Sequence, residues 1–107
     1  MTSTCSWSLG NGERLKFTVY SLDARWKSVA GLYIFSFQTK NGFWYPLYVG
    51  QTDDFSIRLP TLEKRSLLIR GGATHIHARV VSEASERNRL EALLIAHLQP
   101  RMNTPLR

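Results

Sequence analysis

A single cysteine, Cys5, is present in 107 residues. No disulfide can therefore close within the chain, and a reducing compartment suits it. No apolar run approaches the ~20 residues needed to cross a bilayer. The first residues (Thr2, Ser3, Thr4, Cys5 and Ser6) contain no basic segment followed by an apolar stretch. No secretory signal is visible, and a cytoplasmic location with no membrane partner is the expectation. There is no internal repeat and no low-complexity tract, which sets aside solenoids and disordered linkers. Acidic residues are scarce, eight against fourteen basic ones, for a net charge of +6. A surface of that sign favours polyanions, and nucleic acid is the commonest of these. The hydrophobic fraction of 43% is ordinary for a globular protein, and the length allows one domain with one modest core.

What is present is organised around residues 31–58. Gly31-Leu32-Tyr33 opens a mostly apolar run, Asn41-Gly42 marks a turn, and the run at 43–49 is aromatic, β-branched or leucine apart from Pro46. Both arms favour strand, and Asn-Gly is a strong hairpin signal because both residues tolerate positive φ. With Asn41 and Gly42 at the centre of a two-residue turn, Lys40 pairs with Phe43, Phe35 with Tyr48, and Tyr33 with Gly50. Alternation then puts Tyr33, Phe35 and Tyr48 on one face, with two phenols at the open end of the ribbon beside a glycine. Pro46 has no N–H for a ladder, so the second arm is predicted to be an edge strand or to carry a bulge that would shift this register.

Gly31-Leu32-Tyr33, Tyr48-Val49-Gly50 and Arg58 are followed by Glu91-Ala92-Leu93-Leu94-Ile95 and Gln99-Pro100-Arg101-Met102-Asn103. In this order and spacing the motifs resemble the GIY-YIG nuclease family, in particular the cutting domain of the bacterial excision-repair incision subunit. The resemblance spans residues 31–103. It implies an α/β chain of the α+β kind, with a small three-stranded antiparallel sheet flanked by helices. The first hairpin arm would be central and the second at an edge. Residues 31–107 would form the nuclease domain. Residues 1–30 would be an N-terminal arm carrying one added strand, the whole making one compact domain.

Elsewhere the chain reads as follows. Residues 1–12 are a loose arm with a turn at Asn11-Gly12. Leu15, Phe17 and Val19 alternate with polar neighbours as a half-buried strand, and Trp26 covers one end of the core. Asp53 or Asp54 caps a short helix through Arg58. Pro60 interrupts that helix or opens the next one, which Gly71-Gly72 stops. Residues 74–81 alternate as a strand, with Ile76, Ala78 and Val80 on one face and His75, His77 and Arg79 on the other. Ser82 or Ser85 caps a final helix whose Leu90, Leu93, Leu94 and Leu98 recur at helical spacing, closed by Pro100.

The resemblance implies a metal-dependent endonuclease that hydrolyses phosphodiester bonds in DNA, with RNA left open. Tyr33 and Tyr48 would place or activate the attacking water, with Tyr33 the preferred general base. Arg58 would contact the scissile phosphate, and Glu91 would hold Mg2+ or Mn2+. Gly31, Gly50 and Asn103 would be supporting residues, Asn103 bonding near the active helix. A phenol titrates near ~10 and needs help to act as a base near neutral pH. The lysine that many relatives carry after the second motif is Gln51 here, and the histidine that several place four residues after the arginine is Leu62. Lys64, His75 and His77 are candidate helpers. The two histidines could share a zinc ion only with a third ligand, and Cys5 and His97 are remote in sequence. A solvated or phosphate-facing strand edge is their expected place. The alternative function is a non-catalytic nucleic-acid-binding module on the same scaffold, and a third is a basic interaction adaptor. With about thirty residues before the match, specificity would come from DNA shape, a second copy or a protein partner.

Overall fold

The computed structural model describes residues 3–103. In chain order the elements are β1 (Ser3–Ser8), β2 (Arg14–Ser21), β3 (Gly31–Gln38), β4 (Trp44–Thr52), α1 (Phe55–Thr61), α2 (Arg65–Arg70), β5 (His75–Val80) and α3 (Ala84–Leu98), then a 3-10 turn over Arg101–Asn103. The strands form one antiparallel sheet in the order β1-β2-β5-β3-β4. The α+β class is as expected, but the sheet has five strands rather than three. As expected, β3 is central and β4 lies at an edge.

The added element is a whole hairpin, not one strand. Residues 3–8, read from sequence as loose, pair with β2 from Ser3↔Val19 to Ser8↔Arg14. Serine and threonine on the outer face masked an alternation of Cys5, Trp7 and Leu9. Trp7 and Leu9 are buried on the inner face, together with Phe17. Period-2 burial is the property that makes a strand, and it outweighs the weak propensity of serine.

The sheet has two covered faces. On one, α3 packs Leu90 and Leu94 against Trp7, Phe17, Leu32, Ile34 and Val49. On the other, α1 and α2 pack Phe55, Leu59, Leu62 and Leu68 against Tyr33, Phe35, Leu47 and Ile76. Leu62, at the position where a histidine was sought, is 9% exposed and belongs to this core. The short helices cover only the β5-β3-β4 part of their face, because the outward residues of β2 (Lys16, Thr18 and Tyr20) are not buried.

The hairpin reaches its predicted register at the functional end by a different route. Thr39 pairs with Phe43, its N–H donating to Phe43 O at 2.7 Å. The loop therefore has three residues and ends at Gly42 with φ +86°, a conformation suited to glycine. That moves the pairing by one, giving Ser36↔Pro46 and Gln38↔Trp44. A bulge at Leu47 moves it back, so Phe35 lies opposite Tyr48 and Tyr33 opposite Gly50. The bulge is cheap here because Pro46 has no N–H for the ladder. In return it buries Leu47 completely, worth ~1.5–3 kcal/mol against roughly 1 kcal/mol for a ladder bond.

The helix ends also depart from expectation in detail. Pro60 neither interrupts α1 nor opens α2; it lies within α1, which ends at Thr61 with Leu62 as its cap. The residue preceding α3 at its cap is Glu83, with no side-chain capping bond, rather than Ser82 or Ser85. Gly71 and Gly72 end α2 as predicted, and Trp26 stacks on Phe55 and Tyr20 at the end of the core.

Candidate active site

Four elements bring the candidate residues to the open edge of the sheet at β4. Tyr33 is in β3 and 2% exposed, and it shares its face with Phe35 and Tyr48. Its ring meets Phe35 edge-on at 6.0 Å and Tyr48 at 6.4 Å between centroids. Gly50, opposite it, makes room for the phenol: a Cβ there would come within 2.5 Å of the Tyr33 hydroxyl. Gly31 is required for a different reason, since a Cβ would run into the Arg79 carbonyl and the Phe55 ring.

Arg58 is exposed on α1. The start of that helix is fixed by Asp54, whose Oδ1 accepts from Ser56 N at 2.9 Å and whose Oδ2 accepts from Ser28 Oγ at 2.6 Å. Lys64, the residue before α2, places its Nζ over the Tyr48 ring at 5.0 Å from the centroid, a cation–π arrangement.

Glu91 arrives from α3, on the other face of the sheet. Because β4 is an edge strand, no further strand separates the two sides there. Gln51, next to Gly50, turns toward α3, and its Nε2 donates to Glu91 Oε1 at 3.0 Å. Glu91 Oε2 has no hydrogen-bond partner among the described residues, and the residue is only partly buried. The Glu91 anion and the Arg58 cation both act on the two phenols. Gly50 and Gln51 thus lie between the phenol of Tyr33 and the carboxylate of Glu91.

The electrostatics of the phenols follow from this placement. Burial raises the Tyr33 pKa strongly, the adjacent Tyr48 and the Glu91 charge add to the rise, and Arg58 opposes it. Tyr48 is raised as well, first by burial and then by Glu91, with Arg58 again opposing. Burial thus favours the neutral phenol of Tyr33, which can both give and accept hydrogen bonds.

Asn103 clamps the edge strand rather than a helix. Val49 N–H donates to its Oδ1 at 2.8 Å, and its Nδ2 donates to Val49 O at 2.9 Å. These are the groups a further strand would have paired, one residue from both Tyr48 and Gly50. His75 and His77 are not brought to the site. They pair with Ser36 and Ile34, the residues of β3 that face away from Tyr33. His77 is fully buried rather than solvated. Its Nδ1 accepts from the Trp7 indole N–H at 3.0 Å, and its ring lies 4.7 Å from that of Trp44. Burial pushes its pKa down to about 4, with His75 adding to the fall.

Sequence reasoning missed Arg87. It is 7% exposed, donates through NH1 to the Val81 and Ser82 carbonyls at 3.0 and 2.9 Å, and donates through Nε to Gln51 Oε1 at 3.2 Å. The chain Arg87–Gln51–Glu91 thus aims the carboxylate, with glutamine where relatives carry lysine. The available signal was an arginine on the buried stripe of α3, at i−3 to Leu90 and i−4 to Glu91.

No protein-family model matches the chain, and no curated protein matches it. Solved structures do match, and those found are GIY-YIG endonuclease domains, which supports membership of that family. The structures it resembles are of the N-terminal endonuclease domain of UvrC from Thermotoga maritima. The magnesium-bound form is 26% identical with a TM-score of 0.59, covering 74% of this chain and 88% of that one. A tyrosine-to-phenylalanine point mutant bound to its catalytic divalent cation is 29% identical with the same TM-score, covering 75% and 88%. No helix among the described residues is long and apolar enough to cross a membrane.

Proposed function

We propose that this chain is a divalent-metal-dependent endonuclease that hydrolyses phosphodiester bonds in DNA. The observation that supports the reading is the geometry at the edge of β4: Tyr33 fitted against Gly50 and Tyr48, Glu91 bonded by the neighbouring Gln51, and Arg58 on the adjoining helix α1. Likeness to a nuclease domain solved with magnesium supports it.

The residues suit a hard cation. Among the described residues no three His, Cys, Asp or Glu side chains are grouped to hold a metal, which argues against a zinc cage. Magnesium needs only one or two carboxylates and keeps its waters. Glu91 offers one oxygen steadied by Gln51 and one without a protein partner. A bound Mg2+ or Mn2+ would supply Lewis acidity and stabilise the leaving oxygen.

The remaining roles follow from placement. Tyr33, buried and neutral, holds the attacking water by hydrogen bonds in line with the P–O bond that breaks. Tyr48 completes that contact from the neighbouring strand. Burial opposes a free tyrosinate, so the proton of the attacking water would pass to bulk solvent, its release made easier by a bound cation. Arg58, exposed and cationic, bonds the non-bridging oxygens and offsets the charge that grows on them. Lys64 adds positive charge beside Tyr48.

The test is nicking of supercoiled plasmid in Mg2+ by the wild type and by Glu91→Ala. Cutting should depend on the metal and fall to background in the variant, with unchanged melting. Cutting that survives Glu91→Ala overturns the assignment. Gln51 in the place of lysine favours one other reading, a DNA-binding module without turnover. Salt-sensitive binding with no cutting in either Mg2+ or Mn2+ would select it.

A further inference from the structure

The N-terminal hairpin creates a second concave surface away from the four catalytic candidates. A groove of about 580 Å³ is floored by the uncovered face of β2 at Thr18, reaches Ala78 at the margin of β5, and is walled by residues 25–29. Three cationic residues on its own side line it, Lys16, Arg25 and Lys27, while Arg79 alternates to the other face and donates through NH1 to the Lys16 carbonyl at 3.0 Å. Among the described residues none of them is in an ion pair, and no acidic residue lines the groove. Two aromatic rings meet where floor and wall join, Tyr20 from β2 and Trp26 from the wall. Tyr20, 36% exposed, packs on Trp26 at 4.8 Å between centroids.

We propose that this groove binds one unpaired DNA strand flanking the scissile linkage. The proposal rests on the nuclease reading above. Charge complementarity selects a polyanion, and cations interleaved with aromatic faces are the chemistry that holds a single strand, phosphates on the rim and bases on the rings. The volume suits a nucleotide or two and is too small for a duplex. Position agrees. Tyr33 pairs with Ala78 across β3 and β5, so the groove and the two candidate phenols share one side of one sheet, with Glu91 reached around the β4 edge. From β2 to β4 is three strand spacings, roughly 14 Å. At about 3.4 Å per nucleotide, a strand lying in the groove would reach the cut within about four nucleotides. The hairpin thus gives this small domain a strand-holding surface of its own.

The test is fluorescence anisotropy of the full chain without divalent metal, across a salt series. The probes are an oligothymidylate of about a dozen nucleotides and a blunt duplex. The double variant Lys16→Ala/Lys27→Ala should bind the single strand at least tenfold more weakly. Its log–log salt slope should flatten by about 1.4, some 0.7 for each phosphate no longer neutralised. Tyr20→Ala should weaken binding by about tenfold with the slope kept. Lys40→Ala/Arg70→Ala, equal in charge and outside the groove, should bind within about twofold of wild type. If the double variant loses its melting transition, Lys27→Glu alone provides the reading. Groove variants that bind like the control, in a protein that cuts plasmid, overturn the groove alone. A loss on the blunt duplex as large as on the single strand overturns the single-strand assignment. A wild type that neither cuts nor binds DNA removes the nuclease reading and the groove with it.

Discussion

Gly50→Ala tests whether catalysis depends on where the Tyr33 hydroxyl sits. A Cβ at position 50 would lie 2.5 Å from both the hydroxyl oxygen and Cζ of Tyr33. Ordinary contact begins near ~3.5 Å, so the ring must retreat by about 1 Å. Little space exists for that, since Tyr33 is 2% exposed and packs against Phe35 and Tyr48. Overpacking of this kind costs ~1–3 kcal/mol of stability, which should lower the melting temperature without unfolding the domain. The larger effect is on turnover, because a displacement of about 1 Å in a reacting geometry can cost ~100-fold. The assay is single-turnover cleavage of a labelled duplex at saturating Mg2+, with Tyr33→Phe and the double variant measured alongside. If Gly50→Ala acts through the hydroxyl, the double variant should be no slower than the slower single variant, since the same interaction is removed only once. Wild-type cutting by Gly50→Ala, or rate losses that multiply in the double variant, would refute the reasoning.

Gln51→Ala removes the donor to Glu91 Oε1; losing such an outer partner typically costs 10–100-fold in metal affinity. The Mg2+ concentration for half-maximal cutting should rise about tenfold, with most of the rate recovered at saturation, and an unchanged Mg2+ titration would count against the Arg87–Gln51–Glu91 chain. His77 makes stability pH-dependent. Its folded pKa lies near 4 against ~6.5 unfolded, so the unfolded chain binds the extra proton first, and the stability present above about pH 6.5 is lost as pH falls toward 4. Urea unfolding at pH 4.5 should show about 2–3 kcal/mol less stability than at pH 7 from this group, and His77→Leu should flatten that slope. Asn103→Ala frees the Val49 N–H and C=O at the sheet edge; a loss of ~1–3 kcal/mol and faster hydrogen exchange at the Val49 amide are expected, and unchanged protection there would contradict the clamp.

Several of these features were legible in the linear chain, and others were not. The tyrosine pairing was, because alternation and a turn restrict a hairpin to few registers, and a register also sets which side chains share a face. It came out right at Tyr33↔Gly50 although two local details differed: the third loop residue and the Leu47 bulge each shift the ladder by one, in opposite senses. The β1 strand was hidden because its outer serines and threonines face open water, and only burial of Trp7 and Leu9 distinguishes it from a tail. His75 and His77 looked like a wet strand edge because a sequence does not say what covers a strand. Here Trp7 and Trp44 cover His77.

By itself the sequence nominated the candidate site residues and determined the central hairpin and the family those motifs resemble, because these depend on residue type and local spacing. Tertiary structure decided how they meet. It put β4 at the edge, so that Glu91 on one face and Tyr33 on the other approach around a glycine. It tied Gln51 and Arg87 behind the carboxylate and left the hairpin face bare as a basic groove. The physical reason is that helix and strand periodicities are local, whereas strand order, edge position and burial are set by which apolar faces the whole chain can cover at once.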